Sequence, residues 1–114
     1  MRYWPAALTY GNWGGPGWSG GEFVSNPALV NREVPAVDSL DALFLPHDRS
    51  YQTAKDTAFE REARRYADAA LLMGMLSLPL RSAKWETPPK RWYHAQAYRA
   101  AAVVCFALKL LLGF

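Results

Sequence analysis

A glycine- and proline-rich segment, residues 10–36, precedes three stretches with helical periodicity, and this order limits the fold. An irregular segment of this length inside a compact domain is unusual unless it is functional. With 114 residues, the chain is long enough for one domain with a modest core. We therefore predict a single all-α domain over residues 1–114. It divides into an N-terminal segment (1–36), a helix pair (37–76) and a C-terminal helical part (77–114).

The first helix is predicted to begin after Asp38, which can serve as N-cap, with Asp41 at the third helical position as in a capping box. Pro46 lies inside the pattern and is expected to bend the helix. The residues that recur at helical intervals, and therefore share one face, are Leu40, Phe44, His47 and Tyr51.

A second helix is predicted from about Thr57 to Leu76, and a third from about Lys90 to Leu112 with Gly113 as its C-cap. In the second helix one stripe is mostly apolar and consists of Phe59, Ala63, Tyr66, Ala70 and Met73. Residues 100–114 are apolar on most faces, which predicts a buried core helix; a helix that meets a partner or lipid is the alternative.

Composition excludes several classes of protein. The net charge of +3 and the scattered basic residues do not favour nucleic-acid binding. Cys105 is the only cysteine, so no intramolecular disulfide can form, and we expect this residue to act as a small hydrophobe. No signal peptide is expected. No apolar run of about 18 residues occurs either, so no membrane span is predicted.

His47 and Asp68 are predicted to meet across the helix pair. If the two helices form an antiparallel hairpin joined near residue 57, both residues lie ~16 Å from the turn. The same arithmetic places Tyr51 opposite Arg64. A histidine held by a carboxylate can act as a general base, and water is then the attacking group because no serine or cysteine is placed as nucleophile. The alternative is a buried structural histidine paired with an acid.

Three motifs, in this order, resemble those of the phospholipase A2 superfamily. Tyr10-Gly-Asn-Trp-Gly-Gly-Pro-Gly17 matches the Tyr-Gly-x-x-x-Gly-x-Gly loop, and Asp41 with His47-Asp48 and Tyr51 matches a helical Asp-x-x-x-x-x-His-Asp-x-x-Tyr pattern. Tyr66-Ala-Asp-Ala-Ala70 looks like the Asp-x-Ala-Ala helix. The resemblance covers about half the chain and is closest to the compact, disulfide-free bacterial and viral forms. It implies that His47 activates water, that Asp68 orients His47 and that Tyr51 hydrogen-bonds Asp68.

The resemblance also implies a calcium site. Its ligands would be the carbonyls of Trp13, Gly15 and Gly17 and the carboxylate of Asp48, and the amide of Gly15 would be an oxyanion donor. Glycines permit the unusual dihedrals that turn several carbonyls inward, and calcium prefers such oxygen ligands. A flexible glycine loop without an ion is the alternative.

The implied function is calcium-dependent hydrolysis of the sn-2 ester of glycerophospholipids at a membrane surface. Three tryptophans are candidate contacts with that surface, or else pack in the core: Trp4, Trp13 and Trp18. A catalytically weak module that binds membranes or a partner is one rival, and a purely structural domain of a larger polypeptide is another. His94 has no acidic neighbour in the sequence and is predicted to be a surface residue.

Overall fold

The structure is a computed structural model, and it describes residues 9–15, 18–23 and 34–113. Within these ranges the chain is mostly helical, as predicted. The elements, in chain order, are strand β1 (Trp18–Ser19), strand β2 (Glu22–Phe23), helix α1 (Ser39–Ala54), helix α2 (Glu60–Ser77), a short 3₁₀ turn (Ser82–Lys84) and helix α3 (Trp92–Leu112). The two strands form an antiparallel hairpin in which Trp18 pairs with Phe23 and Ser19 with Glu22.

Helix α1 begins where the sequence predicts. The carboxylate of Asp38 accepts a hydrogen bond from the backbone N–H of Asp41 at 2.9 Å, which makes Asp38 the N-cap. The helix continues through Pro46, whose ring lies on the exposed side, and ends at Ala54. Residues 39–54 therefore carry His47, Asp48 and Tyr51 on one continuous element.

Helices α1 and α2 form the predicted hairpin. Residues 55–59 join them, and Asp56 adopts a left-handed conformation with φ of 61° in this turn. The helices approach closely at Gly74, where an added Cβ would lie 2.8 Å from a methyl carbon of Leu43. The core that forms around this contact includes Leu40, Phe44, Leu71, Met75 and Trp85.

The apolar stripe predicted on α2 faces away from the core. Phe59, Tyr66 and Met73 are 73%, 80% and 63% exposed. The buried residues of this helix are Ala67, Asp68, Leu71 and Met75. The side of α2 that faces the neighbouring elements therefore carries Asp68, Leu71 and Met75.

Helix α3 runs antiparallel to α2: the guanidinium of Arg65 donates to the carbonyl of Leu110, and Arg99 tethers α3 to the residues that follow α2. The guanidinium of Arg99, a buried residue, donates hydrogen bonds to the carbonyls of Pro79 at 2.7 Å and Leu78 at 2.8 Å. Gly113 ends the helix in a left-handed conformation with φ of 77°, as predicted.

The expectation of a buried core helix over residues 100–114 is wrong for most of the residues described there. In the described part of this range Ala102 alone is buried, and Cys105 is exposed rather than a buried small hydrophobe. The exposed apolar side chains are Val104, Leu108, Leu111 and Leu112. The physical reason is that, among residues 9–15, 18–23 and 34–113, the neighbours of α3 lie on one side of the helix.

No membrane span was predicted from the sequence, but helix α3 passes a test of length and hydropathy for one. Its 21 residues, with a mean hydropathy of 1.5 over an 18-residue window, suffice by length and composition to cross a membrane. The sequence criterion missed it because charged residues interrupt the apolar run.

Candidate functional site

The predicted contact between His47 and Asp68 is present. Nε2 of His47 lies 2.8 Å from Oδ1 of Asp68, across the α1–α2 hairpin. The side chain of Asp68 is only 2% exposed and that of His47 is 14% exposed. This arrangement fixes one ring nitrogen and leaves Nδ1 as the nitrogen that does not contact the carboxylate.

Tyr51 shares the same carboxylate oxygen. Its hydroxyl donates to Oδ1 of Asp68 at 2.6 Å, and its ring lies 4.6 Å from the ring of His47. The guanidinium of Arg64 lies 5.1 Å from the centre of the Tyr51 ring, so these two residues face each other as predicted. Burial, together with the hydrogen bond to Asp68, raises the pKa of Tyr51, which keeps its hydroxyl protonated as a donor.

Lys109 of α3 joins His47, Tyr51 and Asp68, and these four residues form one cluster. The part of Lys109 was not predicted from the sequence. The ammonium of Lys109 lies 3.0 Å from Oδ2 of Asp68 and also donates to the hydroxyl oxygen of Tyr51. The sequence did contain a signal, because Lys109 is the one charge between residues 100 and 114 and a charge in an apolar helix usually has a partner.

The electrostatics of the cluster favour a neutral histidine beside an ionised carboxylate. Burial lowers the pKa of His47, and Lys109 adds to this effect, while Asp68 opposes it. Burial acts to raise the pKa of Asp68, but the hydrogen bonds from Tyr51, His47 and Lys109 outweigh burial and lower it. A neutral imidazole with one nitrogen held and the other not bound to the carboxylate has the form of a general base.

Asp48 is joined to β1 rather than to the His47–Asp68 pair. Its Oδ2 accepts hydrogen bonds from the hydroxyl of Ser19 at 2.7 Å and from the side-chain amide of Gln52 at 2.6 Å. Ser19 lies two residues after Gly17, so Asp48 is close to the end of the glycine-rich loop. Neither Ser19 nor Gln52 was identified from the sequence, because neither belongs to a recognisable motif.

Asp41 anchors the glycine-rich loop to α1. Its carboxylate is completely buried and accepts backbone N–H groups from Asn12 at 3.0 Å, Trp13 at 2.9 Å and Val37 at 3.0 Å. Burial raises the pKa of Asp41, although these three donors act in the opposite direction. A Cβ added to Gly11 would lie 2.6 Å from Oδ2 of Asp41, so the chain can pass this carboxylate only as glycine. The sequence predicted Asp41 as a capping residue and did not predict this contact.

The predicted calcium ligands are only partly described. Trp13 is buried, with its indole N–H donating to the carbonyl of Val34 at 3.1 Å. Gly15 has φ of 124°, and its carbonyl accepts the N–H of Trp18 at 3.2 Å. Gly17 lies outside the described residues. The left-handed φ of Gly15 is of the kind that only glycine adopts readily.

No cluster of three or more His, Cys, Asp or Glu side chains forms a metal site in residues 9–15, 18–23 and 34–113. A calcium site made of backbone carbonyls and one carboxylate needs no such cluster. The carboxylate of Asp48 and the carbonyl of Gly15 are oxygen donors of the type that calcium prefers, and in this structure Ser19 and Gln52 donate to the carboxylate while Trp18 donates to the carbonyl.

The predicted interfacial tryptophans occupy different environments. The indole of Trp13 is in the core, so the packing alternative holds for this residue. Trp18 is partly buried, contacts the ring of Phe23 and donates its indole N–H to the carbonyl of Gly11 at 2.8 Å. Trp4 lies outside the described residues.

Two surface cavities lie away from the cluster. One has a volume of about 490 Å³ and is lined by residues between Leu80 and Gln96, and the other has a volume of about 400 Å³ and includes Tyr10 and His94. His94 is partly buried beside the ring of Tyr10, 5.2 Å away, rather than fully at the surface. Neither cavity is lined by His47.

Comparisons with protein-family models, with curated proteins and with solved structures find no match for this chain.

Proposed function

We propose that this protein hydrolyses the sn-2 ester of glycerophospholipids with the help of a calcium ion, giving a lysophospholipid and a fatty acid. The observation that carries the proposal is the 2.8 Å contact between Nε2 of His47 and Asp68, with Tyr51 on the same oxygen. A buried histidine needs one acid for solvation, whereas this carboxylate receives three side-chain donors that hold it in one orientation.

The chemistry follows from the two ring nitrogens. Nδ1 of His47 removes a proton from water, and the oxygen of that water attacks the ester carbonyl carbon. Asp68 stabilises the imidazolium that forms, because its carboxylate remains bound to Nε2–H. The imidazolium then returns the proton to the alcohol oxygen of the leaving lysophospholipid as the ester bond breaks.

The proposed ion site consists of the carbonyls of Trp13, Gly15 and Gly17 and the carboxylate of Asp48. When bound, calcium would hold the substrate phosphate and stabilise the negative charge on the ester oxygen, with the amide of Gly15 as a further donor. Two contacts support this part of the proposal: Asp41 accepts the loop amides, and Ser19 donates to Asp48, so both hold the glycine-rich segment beside the helix that carries Asp48.

The partner that this activity requires is a phospholipid membrane surface. A second candidate function is a catalytically weak, phospholipase-like module that binds membranes or a partner protein. The exposed apolar side chains of α3 favour this candidate, since they need an apolar partner. The two candidates differ in whether fatty acid is released.

The test is release of fatty acid from phosphatidylcholine vesicles, measured with calcium and then with a chelator. We expect the chelator and the variant Asp48→Asn each to abolish most of the release. Asp56→Asn makes the same chemical change at an exposed turn position and should leave the rate unchanged. Release of fatty acid that persists in chelator would contradict the proposed calcium dependence. An absence of release by the wild type would contradict the proposed hydrolase activity.

A further inference from the structure

We infer that Lys109 is a positioning residue, which holds the carboxylate of Asp68 in the orientation that presents Oδ1 to His47. The inference rests on the proposed function, because it assigns Lys109 a part in the same site. Lys109 belongs to none of the three motifs, and it comes from the helix that follows the catalytic pair.

Each carboxylate oxygen of Asp68 contacts residues of a different helix. Oδ1 receives His47 and Tyr51 from α1, while Oδ2 receives the ammonium of Lys109 from α3 at 3.0 Å. Because Asp68 is almost completely buried, an Oδ2 without this donor would lack a partner among the contacts described and could gain one by rotation of the carboxylate. Such a rotation would draw Tyr51 or His47 to the other oxygen.

Lys109 also restrains Tyr51. The ammonium donates to the tyrosine hydroxyl, which in turn donates to Oδ1, so Lys109, Tyr51 and Asp68 form a closed triangle of hydrogen bonds. With the hydroxyl held by two partners, Tyr51 cannot move to Oδ2 without losing a bond.

The same turn of α3 contacts the histidine itself. Phe106 lies three residues before Lys109, and its ring meets that of His47 edge-on at 5.1 Å. The ammonium of Lys109 lies 5.7 Å from the Phe106 ring. Helix α3 therefore limits the movement of His47 through Phe106 and that of Asp68 through Lys109.

The experiment compares Lys109→Arg, Lys109→Gln and Lys109→Met with the matched control Lys84→Met, an exposed lysine of the 3₁₀ turn. Because a small misplacement of a reacting group is costly, we expect kcat on vesicles to fall about 10–100-fold in Lys109→Met with little change in KM. Lys109→Arg should recover part of the loss, and Lys109→Gln should lie between them. A kcat within about twofold of the wild type in Lys109→Met, or equal losses in the control, would overturn the inference.

A second measurement is independent of activity. The chain has only two histidines, so nitrogen-15 NMR can assign the Nε2–H proton of His47 and use His94 as an internal reference. We expect exchange of the His47 proton with water to be at least about tenfold faster in Lys109→Met, with His94 and the Lys84→Met control unchanged. Unchanged exchange would refute the positioning role even if the wild type hydrolyses no lipid. If Lys109→Met does not fold, the order of exchange rates in Lys109→Gln and Lys109→Arg decides the question.

Discussion

Asp41→Asn should lower the free energy of unfolding by about 2–4 kcal/mol. In the wild type, Oδ2 of Asp41 accepts two backbone N–H groups and Oδ1 accepts the N–H of Trp13. If the asparagine carbonyl occupies the Oδ2 position, two bonds weaken to neutral ones and the amide NH₂ faces a third donor. A hydrogen bond to a charged group contributes about 1.5–3 kcal/mol and a buried unsatisfied donor costs about 1–3 kcal/mol. Burial penalises the charged carboxylate and thereby raises the pKa of Asp41. The neutral amide does not carry this penalty, which limits the total loss of stability.

The assay for this prediction is urea unfolding followed by far-ultraviolet circular dichroism at neutral pH. A loss of this size is a large part of the roughly 5–15 kcal/mol that stabilises most domains, and it corresponds to a decrease in Tm of about 10–20 °C. Glu86→Gln, an exposed acid, is the matched control and should change the free energy by less than about 0.5 kcal/mol. A loss below about 1 kcal/mol in Asp41→Asn would refute the view that this carboxylate anchors the loop.

Three further predictions concern stability. Gly11→Ala should destabilise the fold by more than Gly113→Ala in thermal unfolding, since both glycines have positive φ but only at Gly11 would the new Cβ meet Asp41; equal effects would exclude the overlap. The folded-state pKa of His47 lies below the unfolded value of about 6.5, so its stabilisation is present above that pH and is lost as the pH falls through the folded pKa. His47→Gln should therefore flatten the decline in unfolding free energy on the acid side of about pH 6.5, and an unchanged slope in urea titrations would count against a buried neutral imidazole. Arg99→Lys should cost about 1–3 kcal/mol, because an ammonium cannot reproduce the guanidinium geometry that reaches two carbonyls, and an unchanged Tm would argue against this tether.

The helix pair and its central contact could be predicted because they depend on local rules. Asp38 caps α1 through its own side chain, and helix geometry alone places His47 and Asp68 at the same height. The face-to-face position of Tyr51 and Arg64 follows from the same arithmetic. Such predictions need only a helix period and the position of the turn.

The contribution of α3 could not be predicted in the same way. The segment between α2 and α3 contains several prolines, and no local rule gives the angle at which the chain returns along α2. The contact of Lys109 with Asp68 depends on that angle, and so does the exposure of Leu108 and Leu111. An apolar composition predicts burial only if neighbours exist on every side, and in the part of the chain that the structure describes α3 has them on one side.

The conformation of the glycine-rich loop could be predicted only in part. Its glycines predict an unusual backbone, and Gly15 has one. The sequence does not show that Asp41 receives the loop amides, because the same aspartate also satisfies the simpler capping pattern. The capping pattern alone accounts for an aspartate at position 41, so the contact of Asp41 with the loop was not predicted.

The central claim is that His47 acts as a base on a water molecule at an ester of a phospholipid. The direct measurement is fatty-acid release from vesicles in saturating calcium by the wild type and by His47→Gln, with circular dichroism to establish that both are folded. We predict that the wild type releases fatty acid from the sn-2 position and that the variant loses at least about 100-fold in rate. Equal release by the two proteins, or release by neither, would contradict the account.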